Sequence, residues 1–121
     1  MPEGEHAGAQ ARIALVRHVI EKHASDPAIN LEAVARRVGM PTRTLQHVLA
    51  KGGESFSQLL LAARLRRARI CLLDPALNDQ PISELAFRCG FLDVSSFYRA
   101  FRAAYQTTPK TLREQQGTPN S

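Results

Sequence analysis

An internal repeat restricts the fold of this chain more than any other feature of its sequence. Two stretches, 31–40 and 82–91, carry apolar residues, an alanine and a glycine at matching places, with a constant offset of 51 residues. The matched pairs are Leu31 and Ile82, Val34 and Leu85, Ala35 and Ala86, Val38 and Cys89, Gly39 and Gly90, and Met40 and Phe91. One structural unit therefore occurs twice.

The spacing within each copy has a physical explanation. A short helix presents a small residue, Ala35 or Ala86, where a second helix crosses it closely. The glycine four residues later permits a sharp turn with positive φ, and the apolar residue after it enters the core. The next helix then presents apolar residues four positions apart. These are Leu45 and Leu49 in the first copy and Phe97 and Phe101 in the second, at an offset of 52 residues.

This pattern predicts two helix-turn-helix units, in which two helices meet at a steep angle around a glycine turn. The alternative is a repeated helical hairpin that serves only packing. Helical repeat proteins usually contain three or more units at a shorter period, whereas this chain has two copies. The second helix of each unit also lies in a stretch that has basic residues and no acidic ones, 41–53 in the first unit and 94–113 in the second. This charge pattern favours the helix-turn-helix interpretation.

The remaining sequence favours helix as well. Aromatic residues make up only 6% of the chain, Ala, Leu and Arg dominate, and no segment shows the alternation of a strand. We therefore predict an all-α fold of about seven helices. The predicted helices are 11–24, 31–38, 41 or 42 to 51, 55–73, 82–89, 94–105 and a short one from 109. The side chains predicted to face the core on the fourth and sixth helices are Leu61, Leu65, Ala68, Leu72, Phe97, Phe101 and Ala104.

The predicted domain organisation is simple. We expect a double helix-turn-helix domain over 11–114, preceded by a flexible segment over 1–10 and followed by a disordered tail over 115–121. The two units lie at about 31–51 and 82–105, and a linking helix at about 55–73 joins them.

Charge is distributed unevenly along the chain. The net charge is +5, with an isoelectric point near 9.9, which indicates a polyanionic partner such as nucleic acid or an acidic membrane. Residues 1–30 are nearly balanced, whereas 31–121 contain thirteen Lys or Arg and seven Asp or Glu. The stretch 55–73 also lacks acidic residues. An anionic partner is therefore expected to bind the repeat region.

The second helix of each unit has an exposed face with the chemistry of a DNA-reading surface. Arginine can bind guanine with two hydrogen bonds, glutamine can do the same with adenine, and serine hydroxyls can serve bases or phosphates. An ordinary solvated helix face is the alternative for each residue. The candidate base-reading residues are Arg43, Gln46, His47, Ser95, Ser96 and Arg99. The residues predicted to bind the sugar-phosphate backbone of DNA are Thr42, Thr44, Lys51, Arg102, Thr108 and Lys110.

The sequence shows no arrangement that predicts catalysis, a metal site or a cofactor. Cys71 and Cys89 are the only cysteines, and we interpret both as reduced, buried fillers of helices. His18 and His23 are five residues apart, which is not the spacing of a zinc-protease motif. No signal peptide or membrane-spanning segment is apparent, so we expect no membrane partner and a cytoplasmic location.

Both halves of the chain resemble the DNA-binding domain of the AraC/XylS family of bacterial transcription regulators. The resemblance covers about 10–114. In the second half it is carried by Ile82-Ser83-Glu84-Leu85-Ala86, Gly90-Phe91, Asp93, Ser95, Phe97, Arg99, Phe101, Thr108-Pro109 and Arg113. In the first half it is carried by Gly39-Met40, Arg43-Thr44-Leu45-Gln46, Gly53, Ser55-Phe56, Arg64-Leu65 and Ala68.

The resemblance implies a seven-helix fold in which a long central helix separates two helix-turn-helix units. It implies double-stranded DNA as the partner, with both recognition helices in successive major grooves. It also implies recruitment of RNA polymerase, usually as an activator. Most members of the family carry a separate sensor or dimerisation domain, so this chain is expected to be either the excised domain of a larger regulator, which we favour, or a short stand-alone regulator. The sequence departs from the family at Gln106, where glycine is usual, at Pro41, where serine or a similar cap is frequent, and at His47, where arginine is common.

Two other functions are compatible with parts of the sequence. A basic helical module that binds proteins would lack salt-dependent affinity for DNA and would bind through an apolar patch. The DNA-binding part of a repair enzyme is a further alternative, but two cysteines without a metal cluster do not favour catalysis. Sequence-specific DNA binding for transcription regulation is therefore the predicted function.

Overall fold

The computed structural model describes the backbone over residues 2–117 and the side chains over residues 10–115. The described backbone contains seven α-helices, one short 3-10 turn and no strand, which confirms the predicted all-α fold. The elements are α1 (Pro2–His23), α2 (Leu31–Val38), α3 (Thr42–Lys51), α4 (Phe56–Leu72), the 3-10 turn (Pro75–Leu77), α5 (Ile82–Arg88), α6 (Val94–Tyr105) and α7 (Pro109–Gly117).

The first helix begins nearer the N-terminus than its sequence predicted. We expected a flexible segment over 1–10 and a helix from residue 11, whereas α1 already begins at Pro2. The physical reason lies in the residue types. Proline is well suited to the first helical position, and five of the eight residues in 3–10 are Glu, Ala or Gln, which are good helix formers and outnumber Gly4 and Gly8. No proline lies between Pro2 and Pro27.

The last helix also extends past its expected end. We predicted a disordered tail over 115–121, but α7 continues to Gly117. The prediction for 118–121 lies outside the described residues.

The two glycine turns of the repeat have the same backbone geometry. Gly39 has φ +72° and Gly90 has φ +102°, the region in which glycine pays no steric cost. After each glycine the chain folds back on the preceding helix, because the amide of Met40 donates to the carbonyl of Ala35 at 2.9 Å. In the second copy, the amide of Phe91 donates to the carbonyl of Ala86 at 3.1 Å. The sequence repeat is therefore also a structural repeat.

The chain forms two compact units. The first contains α1, α2, α3 and α4 up to Ala63. Its core is aliphatic, and an ion pair between Arg17 of α1 and Glu54, which follows α3, lies at its surface. The fully or nearly fully buried members of this core are Val16, Val19, Ile20, Ala24, Val34, Ala35, Leu45, Leu49, Leu60 and Ala63.

The second unit contains α4 from Arg64 onward, α5, α6 and α7, together with Ser25–Pro27. Its core is partly aromatic. The rings of Phe91 and Phe97 meet at a centroid distance of 4.9 Å, and Tyr105 packs against Phe101 at 4.8 Å. The buried members are Leu65, Ala68, Leu72, Leu85, Ala86, Cys89, Phe91, Phe97 and Phe101.

Two side chains predicted to face the core are exposed. Leu61 is 41% exposed, because α4 contacts the first core through Leu60 and Ala63 instead. Ala104 is also exposed. The adjacent Tyr105 packs beside Phe101 in the second core instead.

The end of α6 stores backbone strain at a residue that is not glycine. Gln106 adopts φ 57° and ψ 30°, and its amide caps α6 by donating to the carbonyl of Arg102. A left-handed conformation costs an L-residue about 1–2 kcal/mol, and the greater freedom of glycine when unfolded offsets part of that cost. We expect Gln106→Gly to raise the free energy of unfolding by about 0.5–1 kcal/mol in urea denaturation.

The matched control is Ala103→Gly, three residues earlier within the same helix. There the glycine should lower the free energy of unfolding by about 1 kcal/mol. If Gln106→Gly lowered the free energy of unfolding as Ala103→Gly does, the left-handed conformation of Gln106 would not be strained.

Candidate nucleic-acid interface

The recognition helix of the first unit is α3. Leu45 and Leu49 anchor it because both are buried in the first core. The opposite face carries Arg43, Gln46 and His47, all exposed as the sequence predicted. Ala50 lies on the same side and is also exposed, and so small a side chain allows another surface to approach the helix closely.

The start of α3 lacks a side-chain cap. Pro41 precedes the helix, makes no capping hydrogen bond, and no acidic residue lies in the first turn. The N-terminal amides and the helix dipole therefore favour an anion at this end. Thr44 and Lys51 are exposed along α3, whereas Thr42 is half-buried. Of the three residues on this helix that are predicted to bind the DNA backbone, Thr42 is the least accessible.

The recognition helix of the second unit is α6, held by Phe97 and Phe101 in the second core. Ser95, Ser96 and Arg99 lie on its exposed side, where the sequence placed them. Arg102 is exposed as well, and the small residue Ala103 beside it leaves room for close approach.

Unlike α3, α6 begins with an acidic cap. Asp93 accepts hydrogen bonds from the backbone amides of Ser95 at 3.1 Å and Ser96 at 3.2 Å, and also from the Ser96 hydroxyl. The hydrogen bond from the Ser96 hydroxyl is the largest cause that lowers the pKa of the Asp93 carboxyl. The two amide hydrogen bonds and the nearby charge of Arg99 lower that pKa further. Asp93 is therefore a fixed negative charge at the start of this recognition helix.

The side chain of Thr108 caps α7. Its hydroxyl oxygen accepts from the amide of Thr111 at 3.0 Å and its proton is donated to the Thr111 hydroxyl at 2.8 Å. Pro109 follows at the first helical position, as predicted, and is buried. Lys110 is exposed. Thr108 thus has a structural task, and Lys110 is the accessible cation of this helix start.

The two cysteine thiols are neighbours in the second unit. Cys89 is buried and Cys71 is half-buried, and both are free. Burial, together with the adjacent Cys71 thiol, raises the pKa of Cys89 to about 12. A thiol with so high a pKa is a poor nucleophile at neutral pH, so the pair is suited to packing.

Metal-binding and membrane-spanning features were also sought in the described part of the chain. No three His, Cys, Asp or Glu side chains within it are arranged to hold a metal ion. None of its helices combines the length and apolarity needed to cross a membrane.

Sequence reasoning missed the link between Asp93 and Arg99. The structure connects Asp93, Ser96 and Arg99, because a guanidinium nitrogen of Arg99 donates to the Ser96 hydroxyl at 3.5 Å. The sequence does show that Asp93, Ser96 and Arg99 are spaced three residues apart. Side chains at that spacing lie on one face of a helix.

Two helix-turn-helix units, each with an exposed polar and basic recognition helix, define a DNA-binding domain of a transcription regulator. A family model described as a helix-turn-helix domain matches residues 34–115, more than half of the chain. With the relatives described next, this match shows that the chain belongs to the AraC/XylS family of transcription regulators. The family regulates transcription by binding DNA and is not a family of enzymes, which decides against the protein-interaction alternative.

Curated relatives align with most of this chain but with a minor part of their own length. The transcriptional activator NphR of Rhodococcus sp is 36% identical over 100 residues, which are 83% of this chain and 29% of NphR. The transcriptional activator RhaS of Escherichia coli O1:K1 / APEC is 30% identical over 105 residues, 86% of this chain and 36% of RhaS. The chain therefore spans about a third of the length of these relatives.

Solved structures of regulators share the fold. An AraC-type DNA-binding domain protein from Chromobacterium violaceum has a TM-score of 0.78 and 26% identity, over 94% of this chain and 99% of that one. A DNA-binding transcriptional dual regulator from Escherichia coli K-12 has a TM-score of 0.77 and 28% identity, over 85% and 89% of the two chains. The similarity extends over nearly the whole double helix-turn-helix domain.

Proposed function

We propose that this chain binds a two-part site in double-stranded DNA, with α3 and α6 in successive major grooves. Arg43, Gln46 and His47 would contact bases in one half of the site, and Ser95, Ser96 and Arg99 would form the reading face for the other half. The observation that carries the proposal is the repeat itself. Each glycine turn leads into a helix whose apolar side is buried and whose polar side is exposed.

Contacts with the DNA backbone would set the position of each recognition helix. Phosphate contacts carry no sequence information but fix the register of a protein on the duplex. Lys51, Arg102 and Lys110 are exposed cations near the ends of α3, α6 and α7. Thr42, Thr44 and Thr108 would add hydroxyl or amide contacts at helix starts, where phosphates commonly bind.

The regulatory role would belong to a longer protein. Because the chain spans only about a third of its relatives, we infer a sensor or dimerisation domain elsewhere in the complete regulator. The names of those relatives as activators support activation of transcription as its role. We further propose that it recruits RNA polymerase in the bacterial cytoplasm.

The test is selection of bound sequences from a random duplex pool, repeated with Arg43→Ala and Arg99→Ala. We expect a two-part motif, in which each variant relaxes a different half about one helical turn apart. Each lost bidentate contact should cost about 1–3 kcal/mol of discrimination at one base pair. Selection of a single continuous motif, relaxed at the same base pairs by both variants, would contradict two-part binding.

A further inference from the structure

The hydroxyl of Ser96 is already engaged within the protein. A serine hydroxyl has one hydrogen to donate and two lone pairs to accept with. Ser96 donates its hydrogen to the Asp93 carboxylate and accepts from the guanidinium of Arg99 at 3.5 Å. No hydrogen remains for the acceptor atoms of guanine or thymine in the major groove.

The acceptor of that hydrogen is itself held in place. One Asp93 oxygen accepts from the amide of Ser95 and the other from the amide of Ser96. The hydrogen bond from the Ser96 hydroxyl and these two amide bonds lower the pKa of the Asp93 carboxyl, so the group stays ionised and remains an acceptor near neutral pH. The backbone of the first turn of α6 thus fixes Asp93, Asp93 orients Ser96, and Ser96 restrains Arg99.

Restraint matters for an arginine that reads a base. A long, flexible side chain loses rotamer freedom when it binds, and holding it in its bound orientation beforehand reduces that cost. The α3 unit lacks this arrangement. At the offset of 52 residues, Pro41, Thr44 and His47 match Asp93, Ser96 and Arg99, and Pro41 provides no side-chain cap.

We propose that Ser96 is a positioning residue that restrains Arg99 for base recognition, and that it donates no hydrogen bond to a base. This inference depends on the proposed function, since it requires Arg99 to read a base. It replaces the role that the sequence suggested for Ser96 and reduces the reading face of α6 to Ser95 and Arg99.

The experiment measures affinity for the selected duplex and for a set of duplexes that each carry one changed base pair. The proteins are the unsubstituted chain, Ser96→Ala, Arg99→Ala and the double variant. We expect Ser96→Ala to reduce discrimination roughly threefold to tenfold, and only at the base pair that Arg99→Ala affects. In the Arg99→Ala background the same substitution should change discrimination by less than about twofold.

Two further variants separate positioning from a general structural effect. Ser96→Thr keeps a hydroxyl and should retain the discrimination that Ser96→Ala loses. Ser95→Ala is the matched control, because the Ser95 side chain lies outside the Asp93–Ser96–Arg99 chain. Any effect of Ser95→Ala should persist in the Arg99→Ala background.

The possible failures are distinguishable. If Ser96→Ala relaxes a different base pair, or loses as much discrimination with Arg99 absent as with it present, Ser96 reads a base and the positioning role is overturned. An unchanged discrimination in Ser96→Ala overturns it as well. If Arg99→Ala alters no base preference, the proposed reading face of α6 fails together with the positioning role.

Discussion

Phe97→Ala is expected to lower the free energy of unfolding by about 3–5 kcal/mol, the range for removing a fully buried phenylalanine. Phe97 is 0% exposed. Its ring contacts those of Phe91 at a centroid distance of 4.9 Å and Phe101 at 5.6 Å. Small domains are stable by about 5–15 kcal/mol in total. The loss of Phe97 would therefore remove a large part of the stability expected of a domain of this size. Urea denaturation followed by far-ultraviolet circular dichroism measures it.

Tyr98→Ala is the matched control, one residue further along the same helix. Tyr98 is 36% exposed, although its ring also contacts Phe97, at 5.7 Å. Its truncation removes less buried surface and should cost clearly less than that of Phe97. If the two variants were equally stable, the aromatic cluster would not be the main source of stability in the second unit.

The sequence allowed much of the fold to be predicted because its strongest signals are local. Asn30 accepts from the amide of Ala33 and starts α2, and Gly39 ends that helix in the left-handed conformation. Asp93 and Thr108 likewise cap the starts of α6 and α7. Each signal acts through its own backbone neighbours, so no knowledge of the tertiary structure was required.

Predictions failed where tertiary packing decides between equivalent local choices. Leu61 belongs to a regular apolar stripe on α4, but the first core uses the neighbouring Leu60 and Ala63. Ala104 has the spacing of a core residue, but the second core is completed there by Tyr105 beside Phe101. Helical periodicity defines a face of a helix. It does not determine which edge of that face another element covers.

The candidate site also combines features that helical spacing predicts with features that it does not. All six side chains that the sequence predicted as base-reading candidates are exposed, because helical spacing is enough to predict which side of an anchored helix faces outward. The restraint of Arg99 was not predictable in the same way. The spacing of Asp93, Ser96 and Arg99 permits a contact, but the direction in which the Ser96 hydroxyl donates depends on the orientation of the Asp93 carboxylate.

Affinity for DNA should fall steeply with salt concentration. Each cation that neutralises a phosphate contributes about −0.9 to the slope of log affinity against log salt. For the three backbone-binding cations Lys51, Arg102 and Lys110, the expected slope is about −2.7. Raising salt from about 50 to 200 mM should then weaken binding about 40-fold. Fluorescence anisotropy with a labelled duplex at several salt concentrations measures the slope.

Variants with equal charge distinguish direct phosphate contacts from a general attraction of the basic chain for DNA. Lys110→Gln should make the slope shallower by about 0.9 and weaken binding similarly for every sequence, because a phosphate contact does not read bases. Lys22→Gln removes the same charge from α1, outside the candidate residues, and should leave the slope nearly unchanged. If both variants changed the slope equally, net charge would account for the salt dependence and Lys110 would not contact a phosphate. A change confined to Lys110→Gln would place the start of α7 against the DNA backbone.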